Sequence, residues 1–288
     1  MTQPPPATSS PGEVLSPQRS RPVWDGLFMS GLAVVGGSYV LLIAALLGAD
    51  LAYITPGDLR AVFAKPEIMA ALRLTLLTCT LSALFSVGVG TPLAYLLSRS
   101  RFRGRALVDL IVDIPIVLPP LVLGISLLIL FHIRIGGWQL EEWLNTRLGW
   151  RVTQHVPAVV LAQWTAACAY AVRTMRNTFD HMSPRTEQIA RTLGCSRAQA
   201  FWHVALPQAR RGLFSALTIA WARSLGEFGP ILVFAGVTRY RTEVLSTSVF
   251  LELSAGELNA AVAVSLVLVA MACLTLGMLR LIERGERA

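Results

Sequence analysis

Long runs without a formal charge constrain this chain more than any motif does. Residues 26–49, 74–98, 114–131, 156–172 and 258–279 contain no Asp, Glu, Lys or Arg, and about 18 such residues suffice to cross a hydrocarbon core as a helix. Two of these runs lie near that lower limit. A sixth stretch, 212–237, is equally apolar apart from Arg223 and Glu227. In lipid, backbone polar groups are paired internally only in helices or closed barrels, and runs of this length are too long for barrel strands. The expectation is an all-α integral membrane protein with about six spanning helices.

The first run is longer than a signal-peptide core, and Pro/Ser-rich sequence precedes it instead of a short basic segment. It is expected to be retained. Residues 1–22 have linker composition and are expected to be a disordered cytoplasmic tail, followed by a first spanning helix and outer loop over 23–66. Six crossings leave both termini on one side. That side carries Arg19, Arg21, the arginines of 99–105, Arg173, Arg176, the five of 183–212, and Arg280, Arg284 and Arg287. The opposite side has half as many basic residues, so the positive-inside rule places both termini and 183–212 in the cytoplasm. The net charge of +8 is thereby explained by insertion, and no nucleic-acid partner is expected.

The stretch 183–212, "SPRTEQIARTLGCSRAQAFWHVALPQARRG", is a polar island among these runs. Ser183 before Pro184 is helix-start chemistry, and Glu187 falls near the positive end of the helix dipole. Ile189, Ala190 and Leu193 supply an apolar edge, and Gly194 is a natural stop. Ser196 with Gln199 three residues on forms a capping-box pattern, Phe201, Trp202 and Ala205 provide a second apolar face, and Pro207 discourages continuation. The island therefore reads as two short helices joined by a glycine turn, between spans four and five. A DNA-binding helix-turn-helix, a partnerless interfacial hairpin and a docking knob share this grammar. The knob fits best, because exposed Phe201 and Trp202 beside arginines are anchor-type interface residues.

"EQIARTLGCSRAQAFWHVALP" resembles the EAA loop of ABC importer permeases. Gln188, Ile189 and Ala190 fill the opening positions, Gly194 the glycine, and Val204, Leu206 and Pro207 the closing ones. Gln188 replaces the usual glutamate, with Glu187 adjacent. The resemblance covers roughly 67–285 and implies an importer transmembrane domain whose coupling helix seats on a separate cytoplasmic ATPase through Glu187, Gln188, Ile189, Ala190, Gly194, Cys195, Ser196, Ala198, Phe201, Val204, Leu206 and Pro207. It also implies an extracytoplasmic solute-binding protein and a second permease copy, a homodimer being expected, all in the bacterial-type cytoplasmic membrane. A P-loop needs a lysine for the nucleotide phosphates. The only lysine in the chain, Lys65, stands in "FAKPEI" on the opposite side, so the ATPase is another polypeptide.

Two spans hold further candidate residues. In "DIPIVLPPLVLGI", Pro115, Pro119 and Pro120 interrupt the helix, and Gly124 follows. Such a broken helix either lines a pathway or is a kinked packing element. Asp109 and Asp113 nearby either anchor the helix end, pairing with Arg103 or Arg105, or form an ion site. In "ARSLGEFGPILVFAG", Arg223 and Glu227 stand at i and i+4, with Gly226, Phe228 and Gly229 around them. This segment resembles molybdate, tungstate and sulfate permeases, and also some ferric-iron and thiamine permeases. Ser82, Ser86, Thr91, Ser126 and Ser224 are candidate neutral donors for an oxyanion. On the outer side, 138–150 places Leu140, Trp143, Leu144 and Leu148 on one face of an interfacial helix.

The implied function is the translocation pathway of an ATP-driven importer of a small solute, most readily an oxyanion such as molybdate, tungstate or sulfate. Ferric iron, thiamine or another solute, or an ATP-independent channel or secondary transporter, are the alternatives. No catalytic residue, metal or cofactor is expected. His132, His155, His181 and His203 fall in or beside loops, and Cys79, Cys168, Cys195 and Cys273 form no CxxC pair.

Overall fold

The computed structural model describes residues 22–284, so the tail expected over 1–22 lies outside the described residues but for Pro22. The chain divides into two compact units, Met1–Ala52 and Tyr53–Ala288. The helix α1 (Pro22–Tyr53) has no charged residue from Gly26 to Ala49, with Asp25 and Asp50 bracketing that run, so no single face of it is polar. Within it, the Ser30 and Ser38 hydroxyls donate to the carbonyls of Leu27 and Val35 at 2.9 and 2.8 Å.

The second unit begins with α2 (Pro56–Ala64), opened by a complete capping box between Thr55 and Asp58. Then comes α3 (Pro66–Arg99), followed by α4 (Arg105–Val117) and α5 (Pro120–His132). A two-residue hairpin, β1 (Arg134–Ile135) with β2 (Trp138–Gln139), leads into α6 (Leu140–Leu148) and α7 (Val156–His181). After the polar island, α11 (Arg210–Leu225), a π-type turn Ile231–Ala235, α12 (Leu245–Ser254) and α13 (Leu258–Arg284) complete the unit.

The centre is a seam of small residues. Along α3, Thr75, Cys79, Ser82, Ser86, Gly90 and Ala94 are buried, facing Ala158, Ala162, Ala166, Ala167 and Ala171 of α7 and Ala216, Ala220 and Ser224 of α11. Small side chains let helix backbones approach closely, the main source of helix attraction where no water is expelled. A Cβ on Gly90 would lie 3.2 Å from the Val172 backbone nitrogen, and one on Gly212 would collide with Thr178. The Ser82 and Ser224 hydroxyls, both fully buried, hydrogen-bond each other at 2.9 Å. Each hydroxyl of this pair of candidate donors thus has a partner across the α3–α11 contact.

The six expected crossings are not six straight rods. Gly26–Tyr53, Pro66–Arg99 and Leu258–Met278 are long and apolar enough to span a membrane; α4 and α5 qualify only together, and they meet at 115°. The run 114–131 thus breaks in its middle, where Leu118 and Pro119 are extended: neither Pro119 nor Pro120 can donate a backbone hydrogen bond, and a residue before proline is pushed out of helical geometry. The run 212–237 breaks as well, because α11 stops at Leu225 and the chain resumes in the π-type turn. The helix α7 has 26 residues and extends past the apolar run to His181, carrying Arg173, Arg176 and Asp180 on its last turns.

Candidate functional site

The island folds as two helical arms. The first, α8 (Arg185–Thr192), follows Ser183, whose hydroxyl accepts from Arg185 N at 3.4 Å. Gly194 ends it at φ +98, with Gly194 N donating to Arg191 O and Cys195 N to Ala190 O, both at 3.1 Å. A left-handed residue costs glycine nothing here and would strain any other side chain. The second arm starts from Ser196 with the expected capping box: Ser196 N donates to Gln199 Oε1 at 2.8 Å, and Gln199 N to Ser196 Oγ at 3.2 Å. Pro207 does not stop it. α9 (Arg197–Ala200) runs through a π-type turn, Phe201–Ala205, into α10 (Leu206–Gln208), and the bend comes at Ala209. Lacking an N–H, Pro207 interrupts the regular ladder, and the turn before it widens instead of ending the helix.

Glu187 does not simply sit near the dipole of α8. It is buried at 7% exposure, its Oε1 3.0 Å from Arg99 Nε and its Oε2 accepting from Tyr95 Oη at 2.7 Å. Arg99 Nη2 also donates to Met182 O at 3.0 Å. One carboxylate therefore ties the first arm to the end of α3, and one guanidinium ties α3 to the junction of α7 and the island. The Tyr95 ring extends the clamp, 5.4 Å from the ring of Phe179 and 4.7 Å from that of Phe201.

Phe201, expected as an exposed anchor, is half-buried, its ring packed between that of Tyr95 and that of the exposed Trp202, 5.3 Å away. Ala205 is fully buried. The outward apolar groups are Ile189, Leu193 and Trp202, at 58%, 81% and 62% exposure. Of the other motif residues, Gln188, Gly194, Ser196, Ala198 and Pro207 are exposed, while Ala190, Cys195, Val204 and Leu206 are half-buried.

The broken spans meet each other. A Cβ on Gly124 would stand 2.9 Å from Pro230 Cα, and one on Gly229 would stand 2.9 Å from Pro120 Cβ. The α5 start and the 229–233 segment are therefore in backbone contact, which only glycine permits. Pro119 is exposed, Gly226 has open space around it, and Phe228 lies against Phe250 at 5.5 Å between centroids. Arg223 Nη2 is 2.7 Å from Oε1 of the buried Glu227, an ion-pair contact without hydrogen-bond alignment. The same guanidinium sits 5.6 Å above the Tyr170 ring centroid.

Asp109 and Asp113 pair with neither Arg103 nor Arg105. Asp113 accepts a fork of two hydrogen bonds from Arg173 at 3.0 and 3.1 Å, and Asp109 accepts one from Arg176 at 2.5 Å. Both carboxylates bind α4 to the charged end of α7. Their i, i+4 spacing aims them at one neighbour, and Arg173 and Arg176 are themselves one turn apart, a signal present in the sequence.

A second ionic network was not foreseen. Lys65 Nζ donates to Glu252 Oε2 at 2.8 Å and to Glu257 Oε2 at 2.7 Å. Arg239 reaches Glu252 at 3.0 Å and Glu67 at 3.2 Å. Burial alone would lower the Lys65 ammonium, but its two carboxylate partners more than offset this and hold its pKa above the ordinary value. Hydrogen bonding to Lys65 holds Glu257 below its own. Glu243 nearby is buried; burial pushes its pKa up against the opposing hydrogen bond from Ser248, and Oε2 has no partner.

The chain is similar to known proteins over most of its length. Residues 86–288 match the family described as binding-protein-dependent transport system inner membrane component. The chain is 32% identical over 259 residues to the sulfate transport system permease protein CysT of Escherichia coli (strain K12), covering 89% of this chain and 92% of that one. To the molybdenum transport system permease protein ModB of Mycobacterium tuberculosis it is 38% identical over 217 residues, covering 74% and 79%. A solved bacterial alginate ABC transporter, in complex with an alginate pentasaccharide-bound periplasmic protein, contains a chain that superposes with a TM-score of 0.67 at 19% identity, over 90% of this chain and 93% of that one. That last likeness bears on the fold. The chain belongs to the family of binding-protein-dependent transport system inner membrane components and is the multi-pass permease subunit of an ABC importer.

Proposed function

We propose that two copies of this chain form the membrane pathway for a tetrahedral oxyanion of the sulfate or molybdate type. A separate ATPase seats on the 183–212 hairpin, and an extracytoplasmic binding protein delivers the cargo. The hairpin and both termini face the cytoplasm, in keeping with the excess of arginines on that side. The cargo class rests on the sulfate and molybdenum permeases to which the chain is similar over most of its length.

The observation that carries the reading is the Glu187–Arg99 pair at 3.0 Å. A docking knob transmits work only if it is fixed to the element it drives, and here a buried ion pair fixes the hairpin to the 34-residue α3. Closure of the ATPases would pull both hairpins, and α3 would carry that displacement to the seam with α7 and α11. The backbone contact of Gly124 and Gly229 with the opposite broken segment makes the α5 start and residues 226–229 the candidate gate.

Reconstitution into vesicles with a partner ATPase and binding protein tests this. Labelled sulfate or molybdate should enter only with ATP and binding protein present. Uptake that proceeds without ATP overturns the coupling. Uptake driven by ATP but competed by a ferric complex or thiamine, and not by either oxyanion, overturns the cargo.

A further inference from the structure

The hairpin carries five arginines, Arg185, Arg191, Arg197, Arg210 and Arg211, and one acid, Glu187. That acid is turned inward onto Arg99 and Tyr95, so the outer surface of the hairpin holds no carboxylate at all. The clamp forms one wall of a cavity of about 390 Å³, where Glu187 is already paired with Arg99; Gln188 and three further arginines, Arg101, Arg191 and Arg197, line the rest of the basic side. Among the described residues, none of these three arginines has a carboxylate within ion-pair distance.

Like charges converging on one recess raise its potential, and an anionic group that enters it relieves their repulsion. Guanidinium forks suit a carboxylate, which they can grip through two parallel bonds. We propose that this cavity receives an acidic side chain of the cytoplasmic ATPase, making the hairpin the basic member of the coupling contact. The proposal rests on the docking role argued above and adds the polarity of the interface and the residues that set it.

A protein carboxylate fits better than a lipid headgroup or a free oxyanion. The same hairpin leaves Ile189, Leu193 and Trp202 more than half exposed; a folded partner covers both charge and apolar surface, whereas a small anion would leave the latter in water. Aromatic and aliphatic anchors flanked by arginine are the groups that dominate protein interfaces.

Binding of the purified ATPase to the permease in nanodiscs provides the test, with potassium chloride varied from about 50 to 500 mM to span strong and weak screening. Wild-type affinity should fall steeply with salt. The Arg191→Glu/Arg197→Glu variant should bind about 10-fold or more weakly at low salt, with a flattened salt dependence. The Arg191→Gln/Arg197→Gln variant, which keeps the side-chain bulk, should fall between and guard against misfolding. An acidic-to-arginine change on the ATPase should restore the Glu variant. Unchanged affinity and salt slope in both variants would overturn the proposal while leaving the dock intact. Failure of the wild-type protein to bind ATPase would instead sink the docking role itself. A deficit that follows the anionic-lipid content of the disc, or that inorganic sulfate or phosphate reproduces by competition, would assign the cavity to a headgroup or a free oxyanion and overturn the proposal.

Discussion

The Nε of Arg99 stands 3.0 Å from Oε1 of Glu187, joining the last turn of α3 to the first turn of α8 across 88 residues of sequence. Neither side chain has more than 15% of its surface in solvent. Removing the acid strands a largely buried guanidinium and leaves Tyr95 without its acceptor. Glu187→Ala should therefore cost about 3 kcal/mol, the scale of a buried pair that loses one member. Glu187→Gln, which still offers a carbonyl to Tyr95, should cost less. Thermal unfolding of the isolated permease in detergent reads the difference, and equal midpoints for wild type and Glu187→Ala would show the clamp to be idle.

Gly194→Asp and Ala198→Glu should both prevent the ATPase from co-purifying, for different reasons. Gly194 is left-handed at φ +98, so any side chain adds strain of about 1–2 kcal/mol and shifts the arms. Ala198 is exposed in an ordinary helical turn, so the glutamate should leave the melting temperature alone and act only at the interface. A stable Ala198→Glu protein that retains its ATPase would remove this face from the dock.

Gly124→Ala and Gly229→Ala each drive a methyl group to 2.9 Å from a proline of the opposite segment. Overpacking of this kind costs about 1–3 kcal/mol, and here it also wedges the two broken spans apart. Transport should fall sharply in both variants while membrane insertion persists. Gly226→Ala is the control: the nearest atom to its new methyl is Arg223 O at 3.9 Å. A transport loss in Gly226→Ala equal to the other two would show that crowding is not the cause.

Glu243 gives the stability a pH dependence of defined sign. Its carboxyl is buried and its pKa lies above the ordinary 4.5, so the folded state favours the protonated form and this advantage disappears as pH rises through the raised value. Glu243→Gln should match wild type in acid below 4.5 and be the more stable protein at neutral pH. Glu257 runs the opposite way. Lys65 holds its pKa low, so its contribution is present at neutral pH and lost as pH falls through that depressed value. Unfolding midpoints of Glu243→Gln and wild type that keep a constant separation from acid to neutral pH would contradict the assignment.

What the sequence revealed was local. The capping box at Ser196, the stop at Gly194 and the apolar runs are set by neighbours within a few residues, and the structure carries each of them. The breaks at Pro119 and Gly226 were also written in residue types, though their 115° consequence at the first depends on how α5 lies against the 229–233 segment. What remained hidden were partnerships across long separations. Phe201 reads as a sticky surface group because nothing nearby says that Tyr95 will meet it. Lys65 and Glu252 are 187 residues apart, and no spacing rule links them. The Asp109 and Asp113 pair lay between these extremes: its periodicity pointed to one neighbouring helix, but local arginines were the wrong neighbours.

The arrangement around Lys65 makes the one side-chain amine of the chain quiet toward acylation. With one lysine in the whole polypeptide, and that one 28% exposed and gripped by two glutamates, an acylating dye at neutral pH meets a protonated, shielded nitrogen. Labelling at this position becomes a natural clock for the separation of α2 from the α12–α13 corner: the dye reacts when the grip opens, and no engineered reporter is required.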